Sequence, residues 1–151
     1  MRPHAFRELS AEAFVHATES ETRVERALLL AAPGARVERK AIGGHFGQAL
    51  VRLSARTKDP AGIEAAVDAL RHAVGGEVAR TAARRLSGDL ILHLRLDKQA
   101  AAGGALRLTD SAVGDVIAVR LRLRGARLSQ ETAIPLIQRA FGAPREAAEE
   151  E

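Results

Sequence analysis

The chain contains no cysteine, no tryptophan and no tyrosine. Without cysteine it can build neither a disulfide framework nor a thiolate metal site, which fits an intracellular, cytoplasmic protein. No apolar run approaches the roughly 20 residues that span a bilayer, so no membrane helix is expected. Behind Arg2 there is no continuous apolar stretch, and Met1 to Glu8 is expected to be mature sequence and not a signal peptide. The only aromatic residues are four phenylalanines. Single-strand readers of the RRM kind stack bases on exposed aromatics at fixed strand positions, and no such set is expected here.

What is present is charge, mostly of one kind. Of 23 basic residues 20 are arginine, and only Lys40, Lys58 and Lys98 are lysine. The formal charge of +4 understates the basicity of the folded part, because Glu146, Glu149, Glu150 and Glu151 crowd the last six residues. Without those four, 23 basic residues face 15 acidic ones. The planar guanidinium forks onto phosphate oxygens, which suits nucleic-acid contact. With 151 residues and 46% apolar content, the chain is expected to form one domain over residues 1–142. A flexible acidic tail is expected over 143–151.

Phe6 to Val15 alternates loosely, with Arg7, Leu9, Ala11, Ala13 and Val15 on one face of a first strand. Thr18 followed by Glu21 reads as a capping box that opens a helix from about Ser20 to Ala31. Val24, Ala27, Leu28 and Ala31 fall on one side of that helix. Strands are expected near Arg36 to Ile42 and from Gln48 to Thr57, joined by a hairpin through Gly43-Gly44-His45-Phe46-Gly47. Asp59-Pro60 starts a second helix with Ile63, Val67, Leu70 and Val74 inward. Gly75-Gly76 is expected to break it, and a short helix follows from Glu77 to Leu86. Leu90, Leu92, Leu94 and Leu96 mark the clearest strand, which ends at Asp97. After it come a turn or single helical turn at Ala100 to Gly104, a strand over Val113 to Arg124, and a last helix from about Ser129 to Phe141 that contains Pro135. The fold class expected is α+β, a largely antiparallel sheet with helices on one face.

The alternation of these strands decides where the arginines point. With Val119, Leu121 and Leu123 inward, Arg120, Arg122 and Arg124 project outward. Arg52 and Arg56 do the same opposite Val51, Leu53 and Ala55, as do His93 and Arg95 in the leucine strand. Six arginines and a histidine thus share the open face, a repulsive arrangement that an anionic partner would relieve. The alternative is that glutamates such as Glu8, Glu12 and Glu38 neutralise them. With few aromatics, contact is expected through phosphates, 2′-hydroxyls and shape, favouring structured or double-stranded RNA. Neither a cofactor nor a metal is expected: no histidine pair has ligand spacing, and the glycine loop lacks the lysine of a phosphate loop.

Three segments in register, Phe14-Val15-His16-Ala17-Thr18-Glu19, Gly44-His45-Phe46-Gly47 and Leu94-Arg95-Leu96-Asp97-Lys98-Gln99-Ala100-Ala101, resemble an archaeal family of small RNA-binding proteins often assigned to the exosome. The likeness runs from about Phe6 to Phe141. It implies the fold of the ribosomal protein that carries 5S RNA, with RNA and exosome or ribosomal components as partners. The shared positions are His16, Thr18, Glu19, Gly44, His45, Gly47, Arg95, Asp97, Lys98 and Gln99. Two readings of them stand. His45, Lys98 and Gln99 extend the arginine face as donors to RNA, or His16, Glu19 and Asp97 hold loops together, with Asp97 capping a turn and Lys98 solvated. The function expected is non-catalytic RNA binding, accessory to RNA processing or ribosome assembly. An adaptor for an acidic protein is the alternative, and a nuclease working through His45 or Asp97 stands third. The sequence selects no oligomeric state.

Overall fold

The structure, a computed structural model, describes residues 5–42, 50–110, 115–125 and 128–142. Among the described residues five strands and five helices follow in the order β1 (Phe6–Val15), α1 (Glu21–Ala31), β2 (Arg36–Ile42), β3 (Leu50–Thr57), α2 (Pro60–Arg80), α3 (Ala82–Arg85), β4 (Ile91–Asp97), α4 (Lys98–Ala102), β5 (Val116–Leu123) and α5 (Gln130–Phe141). The strands form one sheet in the order β2-β3-β1-β5-β4, every neighbouring pair antiparallel. Helices cover one face only, so the α+β expectation holds. The glycine hairpin with Gly44, His45 and Gly47, and the acidic tail, lie outside the described residues.

Alternation places the core. Leu9, Ala11, Ala13 and Val15 of β1, Leu53 and Ala55 of β3, Leu92, Leu94 and Leu96 of β4, and Ile117, Val119, Leu121 and Leu123 of β5 are buried beneath the helices. Each fully buried leucine or isoleucine contributes about 1.5–3 kcal/mol relative to exposure. Alanines at the middle of β1 keep the sheet surface low where α1 and α2 cross it. The first strand departs from strict alternation. Its pairing with β5 slips between Phe6 and Glu8, a bulge that turns Phe6 inward against Phe141. Arg7, expected on the apolar side, is exposed at the bulge.

Helix starts follow side-chain chemistry. Asp59 accepts a hydrogen bond from the Gly62 N–H with Pro60 in the first turn, and Ser129 accepts from the Thr132 N–H; such caps contribute about 1 kcal/mol each. At α1 the cap is Ser20, which accepts from the Arg23 N–H, and not Thr18. The serine wins because Glu19 is engaged in the preceding turn with His16. The interruption expected at Gly75-Gly76 falls one residue earlier, at Val74. The helix kinks at Val74 (φ −137°, ψ 16°) and continues to Arg80. Gly75 itself serves packing: a Cβ there would lie 2.4 Å from the Phe141 carbonyl oxygen, so only glycine lets the end of α5 approach. Leu90 also differs from expectation. It sits before β4 in the left-handed region (φ 64°), closing a turn in which its N–H donates to the Ser87 carbonyl.

The two edges of the sheet are finished differently. The outer strand β2 carries Arg36, Glu38, Arg39 and Lys40, all exposed. The outer side of β4 is bridged at both ends, by Leu86 to Leu92 and by Leu108 to Leu96. No helix among the described residues is long and apolar enough to cross a membrane.

Candidate nucleic-acid interface

Because all pairs are antiparallel and register is defined across the sheet, outward residues line up in rows perpendicular to the strands. One row crosses all five strands: Arg36, Arg56, Ser10, Arg120 and His93. At about 4.8 Å per strand it extends for roughly 19 Å. It holds three guanidinium groups, an imidazole and a hydroxyl, and no carboxylate. The next row toward the end of β1 reads Glu38, Ser54, Glu12, Ala118 and Arg95, and beyond it Lys40 and Arg52 lead to Phe14. On the other side of the basic row Glu8 stands beside Arg122.

The glutamates neutralise part of the face. Glu8 lies 3.6 Å from the Nε atoms of both Arg56 and Arg122. Arg56 remains 73% exposed in that pairing, and exposed ion pairs of this kind are weak. Arg36, Lys40, Arg52, Arg95 and Arg120 form no ion pair among the described residues. Arg120 is the hub of the free set. It borders a hollow of about 270 Å³ with Ser10, Arg36 and Arg56, and a second of about 430 Å³ with Arg84, Arg85, His93 and Arg95. His93 places Nε2 3.3 Å from the Ser87 hydroxyl. Partial burial, and then the neighbouring Arg120, hold its imidazole below the ordinary histidine range. Arg124 lies just past β5 at the end of this face, its N–H donating to the Ala5 carbonyl.

The segments around His16 and Asp97 converge elsewhere, at the corner where β1 and β4 end. Lys98 is 2% exposed, which overturns the expectation of a solvated lysine or of a donor presented to RNA. Its ammonium donates to the Phe14 carbonyl at 2.7 Å and to Glu19 Oε1 at 2.9 Å, and lies 3.5 Å from Asp115 Oδ1. Three oxygens for three N–H groups leave it saturated. Gln99 Nε2, although exposed, bridges to Asp115 at 3.1 Å and to Glu19 at 3.5 Å. Burial alone would raise the Glu19 carboxyl, but the His16 N–H and the Lys98 ammonium outweigh it and hold the group below the ordinary range. Asp97 accepts from the Ala100 N–H and caps α4. Thr18 lines a shallow hollow of about 250 Å³ beside this cluster, with Glu19, Lys98 and Gln99. Glu19 and Asp97 thus make side-chain contacts that hold this corner, and His16 takes part through its backbone N–H and carbonyl. Among the described residues no group of three histidine, aspartate or glutamate side chains gathers as a metal site.

Several members of these arrangements were not foreseen. Arg36 and Ser10 complete the basic row, and the alternation of their strands could have pointed to both. Asp115, which completes the Lys98 cluster, precedes its strand with no sequence signal. Phe14 is exposed on the open face of β1, a single ring and not the set of strand aromatics expected to be lacking.

Comparison with known proteins agrees with this architecture. No curated protein matches the chain. Among solved structures, a DUF54 protein of Methanothermobacter thermautotrophicus superposes with a TM-score of 0.78 at 25% identity, over 90% of this chain and 98% of its own. A DUF54 protein of Archaeoglobus fulgidus gives 0.76 at 27% identity, over 89% and 99%. A UPF0201 protein of Methanococcus jannaschii shares the fold at 21% identity, with a TM-score of 0.62 over 87% and 92%. A family model described as RNA binding matches residues 8–123, from the glutamate beside the basic row to the last residue of β5. The chain belongs to that RNA-binding family.

Proposed function

We propose that this protein binds RNA without chemically altering it, holding phosphates against the open face of its sheet. The observation that carries the reading is the row Arg36, Arg56, Ser10, Arg120 and His93, which crosses every strand without a carboxylate. Within that row Arg56 shares Glu8, while Arg36 and Arg120 form no ion pair among the described residues, and a polyanion relieves the repulsion that remains. Guanidinium groups about a strand spacing apart present parallel N–H donors to successive phosphate oxygens. Arg52, Arg95, Arg122 and Arg124 flank the row and widen the contact. Structured RNA suits a face of this width. Its cellular place is proposed as an accessory to RNA processing, at the exosome or in ribosome assembly, where other components supply catalysis.

The test is filter binding of nuclease-treated protein to structured RNA, matched single strands and duplex DNA across a salt series. Engagement of about five phosphates gives a log–log slope of roughly −3 to −5. Replacing Arg36, Arg56 and Arg120 together with glutamine should reduce affinity at least about tenfold and flatten that slope by about two to three. The melting temperature should hardly move, because all three side chains are exposed. Absence of binding at low salt would sink the reading and turn the search toward an acidic protein partner.

A further inference from the structure

The basic row accounts for attraction to a polyanion but leaves Phe14 unexplained. Among the described residues it is the large apolar side chain that stays exposed, at 36%, while Phe6 and Phe141 are buried. It stands on β1, the central strand, on the face no helix covers. Arg52 is its cross-strand neighbour on β3, and Lys40 lies opposite Arg52 on β2. The ring therefore sits at the end of a short cationic row.

The backbone beneath the ring is held in an unusual way. Pairing of β1 with β5 ends at Glu12 and Ala118, two residues short of Phe14. Beyond that point the Phe14 carbonyl accepts from the Lys98 ammonium, itself fixed by Glu19 and Asp115. A buried cation thus anchors the residue that carries the exposed ring. An apolar side chain displayed in water on a rigid mount, with two free cations at one side, matches the alternation of flat base and charged phosphate in a nucleic-acid strand. It suits a duplex poorly, because paired bases keep their faces inside the stack.

We propose that Phe14 is the platform on which one unpaired base of the bound RNA stacks, with Arg52 and Lys40 on the adjoining phosphates. This rests on the RNA reading above and narrows it to RNA that carries an unpaired nucleotide beside a helical part. Stacking on an aromatic face tolerates any base, so the site recognises the extruded state and not a sequence.

The experiment uses two blunt RNA duplexes that differ by one bulged nucleotide, a fluorescent 2-aminopurine, with wild-type protein and the variants Phe14→Ala, Phe14→Leu and Phe14→Tyr. The wild type should prefer the bulged duplex by about fivefold or more, the scale of one base–aromatic stack, and should quench the probe. Phe14→Tyr should retain both effects. Phe14→Leu and Phe14→Ala should lose preference and quenching while still binding the perfect duplex as the wild type does. Equal binding of both duplexes by the wild type, or a preference that survives in Phe14→Leu, would overturn the stacking role and leave the phosphate-binding face standing. Failure of the wild type to bind either duplex at low salt would overturn both.

Discussion

Two regions of this molecule use positive charge in opposite ways. On the open face, Arg36, Arg52, Arg95 and Arg120 form no ion pair among the described residues, although Glu12 and Glu38 occupy the neighbouring row. At the corner of β1 and β4, a single ammonium is taken out of water and given three oxygens. The first arrangement leaves interaction energy available to a partner. The second consumes it internally to fasten three segments that lie far apart in sequence. Charge left unsatisfied and exposed is a means of recognition; charge satisfied and buried is a fastening.

The contrast can be broken most forcefully at the corner. Lys98→Met should remove the only ammonium from a site that still holds Glu19 and Asp115, and strand the Phe14 carbonyl. Breaking a buried ion pair costs on the order of 3 kcal/mol, which for a chain of this length lowers the melting temperature by roughly 6–12 °C. Thermal unfolding followed by circular dichroism reads this directly. A shift below 2 °C would mean that the corner is not a fastening.

A smaller effect of opposite sign is expected on the open face. Glu8→Gln releases Arg56 and Arg122 from their shared carboxylate and should tighten RNA binding about threefold at low salt, with stability changed by less than about 1 kcal/mol. Weaker binding in a titration of this variant would show that Glu8 orients the arginines instead of competing for them.

The smallest effect concerns His93, where proton uptake links the two uses of charge. Its folded value lies below the ordinary 6.5, so the unfolded chain binds more protons between the two. The stability it contributes is fully present above about pH 6.5 and is lost as pH falls through the lowered folded value. A bound phosphate reverses the preference and raises the group, so RNA affinity should rise about twofold to threefold from pH 7.5 to 6. Repeating the binding titration with His93→Gln should give a flatter profile; an unchanged one would place the titrating group elsewhere.

Much of this was legible in the sequence because its signals are local. Alternation in β3, β4 and β5 marked both faces, and Asp59-Pro60 and Ser129 announced helix starts. The sequence misled where an outcome depends on something distant. Asp97-Lys98 reads as a cap followed by a solvated lysine, since nothing local says that Glu19 and Asp115 converge there. Thr18 and Ser20 both qualify as caps, and the choice between them follows from the His16–Glu19 turn. Gly75-Gly76 marked the interruption of α2 to within a residue, but not the approach of the Phe141 carbonyl from the last helix that requires a glycine there. The alternation of β1 already put Phe14 opposite Leu9, Ala11, Ala13 and Val15, but only the sheet showed that this face stays uncovered by helices.

The finish of the sheet edges has a consequence for life on a crowded RNA. Molecules drawn side by side along one polyanion meet at high local concentration, the condition under which open strands join. The charged stretch of β2 makes addition of another strand unfavourable, and the Leu86 and Leu108 bridges occupy the ends of the outer side of β4. Chains brought close together by the RNA binding proposed above would meet edges that disfavour intermolecular strand pairing.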